Sequence, residues 1–147
     1  MYKHILIPTD GSELSEKAID AGVALARELG ARITGFTAVP EYRVPSQIEL
    51  MSKHGVSMPQ YEEEARRQAA LVLRRVEERA RAAGVAHDTD YAQSDTPHDA
   101  IVRAAQKHGC DLIFMASHGR SGIAALVLGS ETQGVIARAG IPTLVYR

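Results

Sequence analysis

The stretch Ile113 to Gly140, IFMASHGRSGIAALVLGSETQGVIARAG, decides the fold. Ile113, Phe114, Met115 and Ala116 read as a strand buried on both faces, because no polar residue interrupts them. Ser117-His118-Gly119-Arg120-Ser121-Gly122 then breaks the strand with glycines and small polar side chains, and a helix is entered at Gly129-Ser130, running from Glu131 to Ala139. Strand, glycine-bearing loop and helix N terminus are the parts from which anion sites are built, since the first-turn N–H groups have no partner inside the helix.

Working outward, the tail Ile141 to Tyr146 reads as a last strand with Pro142 at its entrance, and Asp111 to Ala116 as the strand before the loop. At the other end, His4 to Pro8 (HILIP) is another all-apolar strand, closed by the turn residues Thr9-Asp10-Gly11. Ser12 stands as the N-cap of a helix whose Ala18, Ile19, Gly22, Val23, Ala26 and Leu29 recur at helical spacing, with Gly30 placed as its left-handed C-terminal residue. A strand over Arg32 to Val39 ends at Pro40. From there to about Pro59 no period is sustained, and Pro40, Pro45 and Pro59 mark a long surface excursion.

Gln60 to Ala83 predicts a helix with an apolar stripe of Ala65, Ala69, Val72, Val76, Ala80 and Ala83, and with i,i+4 pairs Glu62/Arg66, Glu63/Arg67 and Glu77/Arg81. Gly84 closes it, Asp88 to Gln93 reads as a weak strand, and Thr96-Pro97-His98-Asp99 starts a further helix with a hydroxyl N-cap and proline at its first position. Ile101, Ala104 and Ala105 give that helix its buried side, and Gly109 ends it. Five strands alternating with four helices predict an α/β domain with an open parallel sheet covered by helices on both faces.

The chain of 147 residues is the size of one domain, and 45% hydrophobic with 24% charged residues is ordinary globular composition. Seventeen basic against eighteen acidic residues leave a formal charge of −1, which gives no net attraction to nucleic acid or an anionic membrane. The arginines of Gln60 to Ala83 are interleaved with glutamates, so that segment is a solvated face. MYKHILIP lacks the apolar core of a signal peptide, and the longest apolar run, Ile123 to Leu128, is too short to span a bilayer; a cytoplasmic protein is expected. One cysteine, Cys110, excludes an internal disulfide and is expected buried. His87, Asp88 and Asp90 are not expected to bind metal, because Asp88 and Asp90 share one strand face, most simply the wet one, and no second cluster completes a shell.

Ligand chemistry gathers at two strand ends: Pro8-Thr9-Asp10-Gly11-Ser12 after the first and Ser117 to Gly122 after the fourth. If these strands are neighbours, the two converge. Gly119 and Gly122 would let backbone N–H groups approach phosphate, and Gly129 and Ser130 would present free N–H groups with a hydroxyl. No Walker loop, GxGxxG, HExxH or GxSxG is present. Ser130-x-x-Gln133 also reads as a capping box, the competing role for Ser130. His118 has no carboxylate placed by sequence to orient it, so it reads as a lining residue, and Arg120 is the cation nearest the loop.

PTDGS after the first strand, Thr96-Pro97-His98, and SHG-x9-GS before a short last strand resemble the universal stress protein family over essentially the whole chain. Its nucleotide-binding branch carries G-x2-G-x9-G-[ST]; here the positions hold Ala116, Gly119, Gly129 and Ser130, with alanine for the first glycine. The resemblance implies a single domain over residues 1–147, an adenine nucleotide alpha-hydrolase-like sheet in the order 3-2-1-4-5, and ATP, or AMP or ADP, in the crevice with Mg²⁺ through the phosphates. It implies a cytoplasmic homodimer joined through Ile141 to Tyr146 and acting in stress response as a binding and signalling module. Carried over by residue, Pro8, Thr9 and Asp10 would flank the adenosine, Val39 would pack on the base, and Met115 and Ala116 would line the wall. Gly119, Gly129 and Ser130 would hold phosphates, with Ser117, His118, Glu131 and Thr132 along the same site. Ala116 is expected to narrow the site without closing it, and a carboxylate at Glu131 would repel ATP if it pointed inward. The alternatives are a weak ATP hydrolase or phosphotransferase and a dimeric relative that has lost the nucleotide.

Overall fold

Strands that are apolar on both sides need a layer of helices on each side, and the computed structural model, which describes residues 1–52, 55–119 and 127–147, has that arrangement. The elements are β1 (His4–Pro8), α1 (Glu13–Leu29), β2 (Arg32–Val39), α2 (Gln47–Met51), α3 (Met58–Ala82), β3 (His87–Gln93), α4 (Pro97–His108), β4 (Leu112–Ala116), α5 (Ser130–Arg138) and β5 (Thr143–Tyr146). The five strands form one parallel sheet in the order β3-β2-β1-β4-β5. Chain order reverses between β1 and β4, which is where an open sheet of this kind holds its ligand.

Strand alternation divides the core in two. Ile5, Ile7, Ile33, Leu112 and Phe114 face α1 and α3, while Leu6, Phe36, Ile113 and Met115 face α4 and α5. Two glycines set the helix distances on the first face. A Cβ on Gly22 of α1 would lie 2.8 Å from Ile7 Cδ1, and one on Gly35 of β2 would lie 2.9 Å from Val76 Cγ1 of α3, so both elements approach as closely as their backbones allow.

The helix boundaries follow their caps. Ser12 accepts from Ser15 N at 3.3 Å, and Gly30 and Gly109 close α1 and α4 at φ 64° and 66°. α3 starts at Met58, two residues before the expected Gln60, because Ser57 and Gln60 make a reciprocal capping box and Pro59 falls inside the first turn. Its stripe turns through Leu73, which is buried, where the sequence pattern favours Val72, and its ion pairs include Arg66–Glu63 at 2.6 Å and Arg67–Glu64 at 2.7 Å, spaced i,i+3, and Arg74–Glu78 at 3.4 Å, spaced i,i+4. The excursion after Pro40 contains α2, capped by Ser46 and Glu49 and burying none of its own residues. β4 and β5 start later than expected, at Leu112 and Thr143.

At the end of the sheet away from the switch-point crevice, polar residues form a closed network. Thr34, fully buried, donates to Asp88 Oδ1 at 2.5 Å, so His4 Nε2, 2.7 Å from the same hydroxyl, is the donor in that contact. Arg32 pairs with Asp88 at 2.8 Å, and Asp90 is bonded by Lys107 and His108, each at 2.8 Å. Asp88 and Asp90 therefore do share a face, but it is the one α4 covers, and Asp90 is not the solvated residue expected.

Candidate functional site

The crevice at the switch point is built from three segments. The first follows β1. Thr9 N donates to Phe36 O at 2.8 Å, extending the ladder one residue, and Gly11 turns the chain at φ 77°. Gly11 N donates to Thr9 Oγ1 at 3.2 Å. Asp10 Oδ1 accepts from Ser12 N at 2.9 Å and from Ser15 Oγ at 2.8 Å, so the first turn of α1 fixes the carboxylate.

The second segment follows β4. Ser117 N donates to Tyr146 O at 2.7 Å, continuing the β4–β5 ladder. The carbonyls at the strand end then anchor α5: Gly129 N donates to Ser117 O at 2.8 Å, and Thr132 Oγ1 donates to Ala116 O at 3.0 Å and Ser117 O at 3.2 Å. Gly129 approaches so closely that a Cβ there would stand 3.2 Å from His118 Cα. The two segments meet where Gly119 lies against Asp10 Oδ2, in space that a side chain at 119 would occupy.

The third segment is α4, whose Pro97 and Ile101 line the crevice together with Ala116 and Met115. Together the segments form a cavity of about 520 Å³, lined by apolar Phe36, Ala38 and Met115 and by Thr9, Asp10, Gly119, Ser130 and Glu131. That volume is within the range of about 300–1,000 Å³ typical of small-molecule sites. Ala116 is part of the lining and the cavity stands open beside it.

Of the residues singled out from the sequence, Pro8, Thr9, Asp10, Met115, Ala116, His118, Gly119, Gly129, Ser130, Glu131 and Thr132 are brought together around this cavity. Val39 and Ser117 are not: Ser117 is buried behind the wall, and the β2 residues lining the site are Phe36, Thr37 and Ala38. Arg120 and Gly122 lie outside the described residues. Ser15, Pro97, Ile101, Val127 and Leu128 also line the site and were not read from sequence; the Thr96-Pro97 helix start was visible, but nothing in the residues shows that α4 faces this crevice.

Several bonding expectations change. Gly129 N–H is taken by Ser117 O, so it is not a free donor; Ser130, Glu131 and Thr132 supply the first-turn N–H groups left without a partner among the described residues. Gly129 is the N-cap of α5, and the Ser130–Gln133 capping box does not form: Gln133 Nε2 instead donates to Leu128 O at 2.6 Å. Thr96 makes no side-chain cap for α4, its N–H bonding to Ser94 Oγ at 3.1 Å. Glu131 caps α4 instead, its Oε2 accepting from His98 N at 2.7 Å and lying 2.8 Å from His98 Nδ1. The carboxylate that would have faced a phosphate is thus turned onto the neighbouring helix.

His118 Nδ1 lies 3.2 Å from Ser117 Oγ. Among the described lining residues Asp10 and Glu131 are acidic and none is lysine or arginine. No group of three or more potential metal-ligating side chains occurs among the described residues, and His87 Nδ1 donates to Val85 O at 2.9 Å. No helix among the described residues is long and apolar enough to cross a membrane.

A parallel five-stranded sheet with an open crevice at its switch point defines a doubly wound α/β protein. The universal stress protein family model matches residues 1–147. The chain belongs to the universal stress protein family. It is 30% identical over 151 aligned residues to universal stress protein YxiE of Bacillus subtilis, covering 100% of both chains. Among solved structures it superposes on MJ0577 of Methanocaldococcus jannaschii with a TM-score of 0.79 at 26% identity, covering 99% of this chain and 95% of that one. A universal stress protein solved in complex with cAMP matches at TM-score 0.70 and 25% identity, covering 99% and 97%.

Proposed function

We propose that this chain binds an adenine nucleotide, ATP or a relative of it, in the crevice between β1 and β4, and that it works as a cytoplasmic dimeric binding and signalling module. The observation that carries the reading is the meeting of the two strand-end loops at Gly119 and Asp10 beside a cavity lined both by apolar side chains and by the first turn of α5. Such a cavity suits a molecule with a flat apolar base at one end and an anion at the other. A universal stress protein of this fold solved in complex with cAMP supports an adenine nucleotide as the class of ligand.

In this reading Ala38, Met115 and Ile101 hold the base, Ala38 taking the place first given to Val39. Thr9 and Asp10 flank the ribose, and Gly119 and the N–H groups of Ser130, Glu131 and Thr132 hold phosphate. The Thr132 hydroxyl, spent on the carbonyls of Ala116 and Ser117, positions α5. Mg²⁺ would reach the site through phosphate oxygens, keeping most of its waters. The dimer would form at the outer edge of β5, the unpaired edge beside β4.

The test is isothermal titration calorimetry with ATP and AMP, with and without Mg²⁺, beside mass spectrometry of any ligand released from freshly purified protein. Saturable heat or a co-purified adenine nucleotide is expected; neither, on folded protein, contradicts the proposal.

A further inference from the structure

We propose that His98, which is outside the cavity lining, is a positioning residue for the phosphate end of the site: it holds the Glu131 carboxylate on α4 and so keeps it off the first-turn amides of α5. The proposal rests on the nucleotide-binding reading above and names what keeps that site open to an anion.

Glu131 is the second residue of α5, where a carboxylate can accept from its own helix's N–H groups and complement the dipole there. A carboxylate doing so would occupy the donors a phosphate needs. In this chain it is drawn away by two bonds from one residue, His98 N at 2.7 Å and His98 Nδ1 at 2.8 Å. Because an ionised carboxylate only accepts, Nδ1 carries the proton in that contact.

The packing of the helices makes the reach possible. Gly134 is three residues after Glu131, on the same face of α5, and a Cβ there would come within 2.5 Å of the His98 ring. The ring thus sits in the gap left by glycine, directly beside the Glu131 side chain. Arg138 Nε lies 3.6 Å from Asp99 Oδ1 one turn further along, so the two helices are tied at both ends of the contact. The unused Thr96 cap completes the arrangement: α4 has an open N terminus for Glu131 to satisfy.

The experiment compares AMP with adenosine, which share the base and ribose and differ in the phosphate, by calorimetry on the wild-type chain and three variants. His98→Phe keeps a ring over Gly134 and removes the Nδ1 donor, leaving the main-chain N–H of residue 98 as the single remaining one of the two bonds on the Glu131 carboxylate. Its AMP affinity is expected to fall about three- to tenfold while adenosine is unchanged. His98→Asn, which keeps a side-chain N–H donor in that position, is expected to retain the wild-type ratio. Adding Glu131→Gln to His98→Phe is expected to restore AMP binding, since a neutral amide competes poorly for the helix terminus. An unchanged AMP-to-adenosine ratio in His98→Phe, an equal loss for both ligands, or no recovery in the double variant each overturns the proposal. Wild-type protein that binds neither ligand overturns the nucleotide-binding reading, and this inference with it.

Discussion

Gly119→Ala tests the convergence of the two strand-end loops. Gly119 is not one of the left-handed glycines, so an alanine there meets no backbone penalty, and whatever the substitution costs comes from space alone. The added methyl would run into Asp10 Oδ2, with Asp10 Cγ 3.2 Å away. Asp10 cannot swing aside cheaply, because Oδ1 is held by Ser12 N at 2.9 Å and Ser15 Oγ at 2.8 Å. Overpacking of this kind costs about 1–3 kcal/mol. For a chain of this size that corresponds to a fall in Tm of about 2–12 °C. To the extent that the loops separate to relieve the clash, the loss appears in nucleotide affinity instead. Asp10→Ala removes the obstacle, so the double variant should be less damaged than the sum of the singles, with a coupling of at least about 0.5 kcal/mol. Thermal unfolding and AMP titration on the four proteins supply the cycle. Wild-type Tm together with wild-type affinity in Gly119→Ala, or strict additivity with Asp10→Ala, would refute the reasoning.

Burial first, and the nearby Arg32 guanidinium second, hold the His4 imidazole below its ordinary pKa. Protons therefore favour the unfolded chain, and the His4 contribution, complete above about pH 6.5, should be lost as pH falls from there toward the depressed folded value. Denaturant titrations between pH 8 and 5 should show a steeper decline for wild type than for His4→Asn; parallel curves would remove the assignment. Burial pushes the Cys110 thiol up to about 12, so it should resist alkylation at pH 8 in the native protein and react once the chain is unfolded. Native labelling at the unfolded rate would contradict its placement. At the β5 edge, Pro142 O and Tyr146 O accept from Ile113 and Ser117 of the β4 segment, so by alternation Val145 turns its N–H outward. Val145→Pro should remove that outward donor, leave the β4 ladder intact and yield folded monomer by light scattering; an unchanged dimer mass would move the interface elsewhere.

The strands and long helices were legible because burial on two faces leaves uninterrupted apolar runs, and burial on one leaves a 3.6-residue stripe. Caps were legible where a residue's only good partner is local, as at Ser12 and Gly30. Two capping sequences failed: the Thr96 hydroxyl makes no cap bond and Glu131 of α5 takes the α4 terminus instead, and Ser130 is passed over because Gly129 holds the cap position. Ser46-x-x-Glu49 was also readable as a capping box, but α2 buries no residue, so no apolar period drew attention to it. The site was half legible. Loop chemistry marked Pro8 to Asp10, Gly119, Gly129 and Ser130, whereas Phe36 joins the lining from β2, and Pro97 and Ile101 from α4 through its packing on the sheet. Val39, the last residue of β2, is outside the cavity lining, and Ala38 is the β2 residue that comes nearest to its place there.

Adenine-nucleotide binding in the crevice is tested most directly by a crystal structure of the protein grown with saturating AMP. Density is expected between β1 and β4, with the base against Ala38, Met115 and Ile101 and the phosphate on the N–H groups of Ser130 to Thr132. A crevice without ligand at saturating AMP, or AMP bound elsewhere on the chain, would contradict it.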